Sequence, residues 1–213
     1  MISKPRKTKR YKRIRRRVIA FVILLVVLAL FFEKRAVPFA AKCARIRCLS
    51  IASGIISDSF YEIINNADWK YEDFSHIIYS ESGELKGISE NSVNVNRFKA
   101  LVEKSIQKKL NKGKMYYFSL PLGAFTGLTL LSNTGPPVEI NFRIEGSVSC
   151  RVKSKFIEAG VNQTLHRIYL IVHCKVFTVS TDFREEYSFN TDYEIAQTAI
   201  VGRVPSTFAD IVR

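Results

Sequence analysis

The residues of this chain that could do acid–base, nucleophilic or metal chemistry are sparse and scattered. Of its three histidines, His166 and His173 are an odd number of positions apart, which puts them on opposite faces of a strand, and His76 is far away in sequence. Cys43 and Cys48 are five apart and turn in different directions on a helix, so no zinc site follows. No GxSxG, HExxH or GxxxxGK[ST] pattern occurs. The acids Glu185, Glu186, Asp192 and Glu194 lie on or beside the polar face of one strand, where solvation accounts for them. The expectation is a noncatalytic protein with no metal and no cofactor. The alternative is a cell-envelope enzyme acting on peptidoglycan through an acid such as Asp192 or Glu194, which requires two facing carboxylates about 5 to 9 Å apart.

Two stretches suit contact better than catalysis. In SLPLGAFTGLTLLSNTGPP, residues 119–137, Gly123, Gly127 and Gly135 interrupt an apolar segment. On a helix Gly123 and Gly127 share one face and allow close packing. The segment lacks the lysine and following hydroxyl of a phosphate loop. Exposed, it is a partner-binding or membrane-contacting surface; buried, it is core. The second stretch is AGVNQTLHRIYL, residues 159–170, in which Asn162, Gln163, His166 and Arg167 sit at or just after a hairpin turn. Gly160 and Asn162 supply turn geometry, and Asn162, His166 and Arg167 are candidates to project toward a partner or a cell-wall anion.

Charge decides how these stretches are carried. Of the net +14, ten charges sit in residues 1–17, which hold no acid, leaving +4 for the remainder. The basic block runs directly into VIAFVILLVVLALFF, Val18 to Phe32, fifteen residues with no polar side-chain atom. As a helix that run covers about 22 Å against a hydrocarbon core of roughly 30 Å, so a span must draw on its flanks, Arg17, Lys34 and Arg35. Glu33, Lys34 and Arg35 follow at once and leave no small-residue cleavage site, which favours an uncleaved anchor over a secretory signal. The organisation expected is a basic cytoplasmic tail at 1–17, a transmembrane anchor and juxtamembrane segment at 18–41, and an extracytoplasmic α+β domain at 42–213. The cation bias places the N-terminus of a single-pass protein in the cytoplasm. Anionic lipid headgroups, not nucleic acid, are the expected contact of the tail.

The elements that must position the two stretches follow from periodicity. Ile46, Leu49, Ala52, Ile56, Phe60 and Ile63 recur at helical steps between Pro38 and Asn65, and Phe98, Leu101, Val102, Ile106 and Leu110 mark a second helix from about Asn94 to Lys112. Between them, strands near 75–80 and 84–89 form a short hairpin, and Met115 to Leu120 reads as a further strand. The clearest signal is PPVEINFRIEGSVSCRVKSKF, in which even positions are apolar or small and odd positions polar. Parity persists through Ile168, Leu170, Val172, Cys174 and Val176 and switches to Phe183, Tyr187, Phe189, Tyr193 and Ile195. Register then requires an odd loop near Gly160 and an even turn at Ser180. The fold expected is α+β: an N-terminal transmembrane helix, then one domain of two helices, a short hairpin and a three-stranded antiparallel meander. Cys150 falls opposite or diagonal to Cys174, either as a disulfide or as two small buried hydrophobes.

The blocks PLGAFTG, TGPP, AGVNQTLHRIYL and IVGRVPSTF together resemble the sporulation protein YunB family of endospore-forming bacteria, across roughly residues 38–208. The resemblance implies a membrane-anchored protein made in the mother cell and needed for spore formation, with unknown protein partners or self-association and no established enzymatic activity.

Overall fold

The computed structural model describes residues 7–81, 83, 85–160 and 163–201, the side chains of residues 7–10 and 32 excepted. The chain starts as an almost continuous helical rod: α1 (Lys7–Phe31), a π-helical turn (Phe32–Ala36) and α2 (Val37–Ala67). The wide turn has a local cause. Pro38, at the start of α2, has no N–H for the carbonyl four residues back and its ring crowds that carbonyl, so the hydrogen-bond ladder loosens just before it.

Among the described residues no helix is long and apolar enough to cross a membrane, which overturns the transmembrane helix expected between Val18 and Phe32. The regular helix ends at Phe31, and any eighteen-residue stretch of α1 holding the apolar run also holds Arg15, Arg16 and Arg17.

The second helix lies on a sheet by a face of small residues. Ala40, Ala44, Cys48 and Ala52 are buried at every fourth position, followed by Ile56 and Phe60, whereas Ile46, expected on this stripe, is 70% exposed. Asp68 ends α2 with a left-handed φ of 45°. A single turn, α3 (Tyr71–Phe74), leads into the hairpin β1 (Ser75–Tyr79) and β2 (Leu85–Glu90), which forms its own two-stranded sheet. Then comes α4 (Ser92–Leu110), started by Asn91, whose side chain accepts the Asn94 N–H at 3.2 Å. Trp69, Phe74, Phe98 and Phe60 interlock at ring-centroid distances of 5.3 to 6.4 Å and join α2, α3 and α4.

The main sheet has four strands, not three: β3 (Met115–Pro121), β4 (Pro137–Glu158), β5 (Gln163–Val179) and β6 (Arg184–Val201), antiparallel in that order. In sequence the glycine-rich segment separates the strand at 115–121 from the meander, yet Pro121 pairs with Pro137, so that segment is a closed loop between neighbours. The expected register holds: Glu158 pairs with Thr164 and Val179 with Arg184. A bulge at Ile168/Tyr169 then shifts the phase once more, so that Ala196 and Ile200 face inward beyond Ile195. Cys150 pairs with Val172 and Cys174 with Val148, the diagonal arrangement, and all four cysteines are free thiols. Burial pushes the Cys150 thiol up to about 12, helped by the nearby Glu103, and that of Cys174 up to about 11.

Helices α2 and α4 cover the inner face, where Phe142, Ile144, Leu170, Val172 and Val176 are buried. Past Arg143 no strand among the described residues continues the pairing of β3 with β4, and side chains of α4 and of its C-cap Asn111 take its place. Asn111 accepts the Gly146 N–H at 3.0 Å, Gln107 accepts that of Val148 at 3.2 Å, and Glu103 accepts that of Cys150 at 2.6 Å. These residues, one helical turn apart, match every second residue of a strand and satisfy an edge that would otherwise be open.

Candidate interaction surfaces

The hairpin end of β4 and β5 carries the first set of sequence candidates, and the structure separates them. Asn162 lies outside the described residues. Gln163 is exposed next to Gly160, which adopts a φ of 131°. His166 does not project outward: its inward parity buries it at 3% exposure, stacked on Phe156 with centroids 4.6 Å apart. Its Nδ1 is 2.7 Å from the Tyr71 hydroxyl. Burial holds the imidazole below its usual pKa, which favours the neutral ring in its hydrogen bond with the Tyr71 hydroxyl. Arg167, on the opposite face, pairs with Glu194 at 3.5 Å, both partly exposed. Gln163 and Arg167 thus face solvent while His166 ties the hairpin to α3. Beneath the hairpin end a small cavity of about 170 Å³ is bounded by His166, Phe156, Ser154, Ser75, Ile88 and Glu90.

The second set lies at the foot of α2, where the rod meets the sheet. Residues 122–126 form a 3-10 turn and 129–131 another, so Gly123 and Gly127 do not share a face of an α-helix. Each glycine has its own reason. A side chain on Gly123 would strike the Leu131 carbonyl, and the Gly123 N–H donates to the Thr134 carbonyl at 2.9 Å. Gly127 takes a φ of 74° beside the Arg35 guanidinium. The turn is docked onto the rod by Phe125, which meets Phe39 edge to face at 5.8 Å and packs with Ala36 and Ala40 in a small core of its own. A cavity of about 390 Å³ opens here, walled by Leu122, Phe125, Val138, Ile140 and Phe183 with Asp182 and Glu139 at its polar rim.

Periodicity gives no account of what the loop displays. Leu128 is 59% exposed, Leu130 94% and Leu131 41%. The available signal is three leucines among Thr, Gly, Ser and Asn, with neither helical nor strand spacing. The apolar side chains of α1 are open as well: residues 11–30 are exposed along the whole helix. Among the described residues no group of His, Cys, Asp or Glu could hold a metal ion.

Known proteins bear out the resemblance. The family described as Sporulation protein YunB matches residues 117–207, a span that contains the glycine-rich loop, the long hairpin and β6. The Sporulation protein YunB of Bacillus subtilis (strain 168) is 24% identical over 201 residues, covering 89% of this chain and 79% of that protein. No solved structure matches the chain.

Proposed function

From this kinship with the sporulation protein YunB family, we propose that the chain serves spore formation as a noncatalytic assembly module held at the mother-cell membrane. The observation that supports attachment is α1. A helix apolar on every side from Val18 to Leu30 and exposed throughout has no stable place in water, because none of its surface is amphipathic. Its basic N-terminal turns and the exposed Lys34 and Arg35 past its other end both favour anionic headgroups, so the apolar stretch between them lies along one membrane surface. The attachment proposed is insertion of the apolar stretch into lipid, not passage across it.

Assembly, as opposed to catalysis, is supported by what the exposed face of the long sheet offers. Its acid Glu194 is engaged by Arg167, and Glu186 by Lys175 at 2.6 Å, so these carboxylates have structural partners. Gln163 and the exposed parts of the hairpin end remain for protein partners or a second copy of the chain.

The test is genetic. In the endospore former that carries this chain, its deletion is expected to lower the yield of heat-resistant spores, and re-expression is expected to restore it. A variant with Leu24, Leu25, Val26 and Val27 changed to Ser, which leaves the sheet domain intact, should restore little. Full spore yield in the deletion strain would refute the sporulation role; full rescue by the serine variant would refute attachment through α1.

A further inference from the structure

We infer that the loop at residues 122–136 is a second lipid contact, which enters the same bilayer surface as α1 and fixes the domain's orientation on it. The inference rests on the membrane attachment proposed above and adds a surface that α1 alone does not require.

Four observations lead to it. First, Met115 to Val138 contains no charged residue, twenty-four positions in a chain that is 24% charged, and the loop is the part of it that leaves the sheet. Second, the apolar side chains at its tip point outward although the loop is rigidly made. Gly123 and Thr134 are hydrogen-bonded at 2.9 Å, Thr134 and Leu131 at 2.9 Å, and Leu131 and Leu128 at 3.0 Å, while Thr126 Oγ1 donates to the Gly123 carbonyl at 2.7 Å. A loop tied this closely holds Leu128, Leu130 and Leu131 in solvent by construction, and three exposed leucines within four residues are a concentration of apolar surface where one alone would be unremarkable.

Third, the loop is fastened to the place where the apolar part of α1 ends. Phe125 packs on Phe39 and Ala36, and Gly127 lies against Arg35, four residues past the end of α1. The loop that carries the leucines is therefore fixed beside the junction at which the apolar helix ends. Fourth, Lys34 and Arg35 are exposed at this junction beside a single acid, Glu33, so the charge bordering the apolar tip is net positive, the arrangement that suits phosphate headgroups above acyl chains. A soluble protein partner would match the leucines but would leave the shared position with α1 and the bordering cations without a role.

The experiment uses the full-length chain with Leu130→Trp and vesicles of phosphatidylcholine and phosphatidylglycerol, with and without bromine-labelled acyl chains. Trp69 provides an internal reference, since it is packed on Phe74 and Phe98 just past the opposite end of α2, about 45 Å along that helix from the loop. The natural chain, whose emission comes from Trp69 alone, gives the baseline to subtract. The expected result is a blue shift and bromine quenching of the emission added by the Leu130→Trp substitution, with that of Trp69 unchanged. Changing Leu128, Leu130 and Leu131 together to Ser should weaken vesicle partition about tenfold or more, given the apolar area removed. If the chain floats with vesicles and the introduced indole is neither shifted nor quenched, the loop is not a lipid contact, while attachment by α1 stands. If the chain does not float at all, both readings fail.

Discussion

Gln107 of α4 stands where a strand would stand beside Gly146 of β4. Its amide nitrogen donates to the Gly146 carbonyl at 2.6 Å, and its amide oxygen accepts the Val148 N–H at 3.2 Å, so one side chain closes two backbone groups of an open edge. Gly146 itself is required, because a Cβ there would come within 2.5 Å of the Lys175 carbonyl. Helix and sheet are thereby locked in register along the direction of β4.

Removing that lock should be costly for an exposed-looking polar residue. Gln107→Ala leaves a part-buried donor and acceptor unpaired and is expected to destabilise the domain by about 1–3 kcal/mol. Gln107→Glu keeps the acceptor for Val148 and loses the donor to Gly146, so it should still lose stability. Urea denaturation followed by circular dichroism measures both. An unchanged midpoint in Gln107→Ala would show that water replaces the side chain without loss.

The two glycines of the foot loop should respond differently. Gly123→Ala sets a methyl against the Leu131 and Thr134 carbonyls and forces the loop open, with an expected loss of about 1–3 kcal/mol. Gly127→Ala meets only ordinary contact with Arg35 but must hold a left-handed φ, at about 1–2 kcal/mol. The distinguishing readout is limited proteolysis between residues 122 and 136, which should be accelerated by Gly123→Ala more than by Gly127→Ala. Equal rates would mean that the close approach at Gly123 relaxes freely.

His166 should make stability pH-dependent in a defined direction. Burial lowers its pKa in the folded chain, so as pH falls the unfolded chain takes up the proton first, near 6.5, and the folded state is disfavoured. The contribution is present above about pH 6.5 and is lost as pH drops toward the lowered value of the folded state. Urea midpoints between pH 7.5 and 5 should fall more steeply in the natural chain than in His166→Phe, which packs on Phe156 without a proton to gain. Parallel slopes would contradict a buried neutral imidazole.

How far the sequence carries the fold depends on the element. Alternation in β4 and β5 is legible because one face is wet and the other dry, and parity alone sets the odd and even loops that Glu158–Thr164 and Val179–Arg184 display. The bulge at Ile168/Tyr169 is invisible, since the apolar pattern reads smoothly from Tyr193 to Ile195, the residue that the slip leaves without a partner on β5. The buried face of α2 differs from the one periodicity picks out because alanine and cysteine carry little hydrophobic signal, while Ile46, with a strong one, sits in solvent. His166 reads as a turn residue, yet its even parity already directs it inward, to Tyr71. The loop at 122–136 offers composition but no period, so neither its two 3-10 turns nor its outward leucines can be read beforehand.

The apolar run is plain in the sequence, but its length and its arginine border decide what it can do, and a regular helix ending at Phe31 does not span. Whether it enters lipid is the question on which the functional account turns. The most direct measurement is flotation of the full-length chain on a density gradient with phosphatidylcholine–phosphatidylglycerol vesicles at low and high salt. The account predicts co-flotation that is reduced but not lost at high salt, because screening weakens the contact of the basic block while burial of Val18 to Leu30 persists. It also predicts no co-flotation for the Leu24, Leu25, Val26, Val27 serine variant. A natural chain left at the bottom of the gradient, or one released entirely by salt, would contradict it.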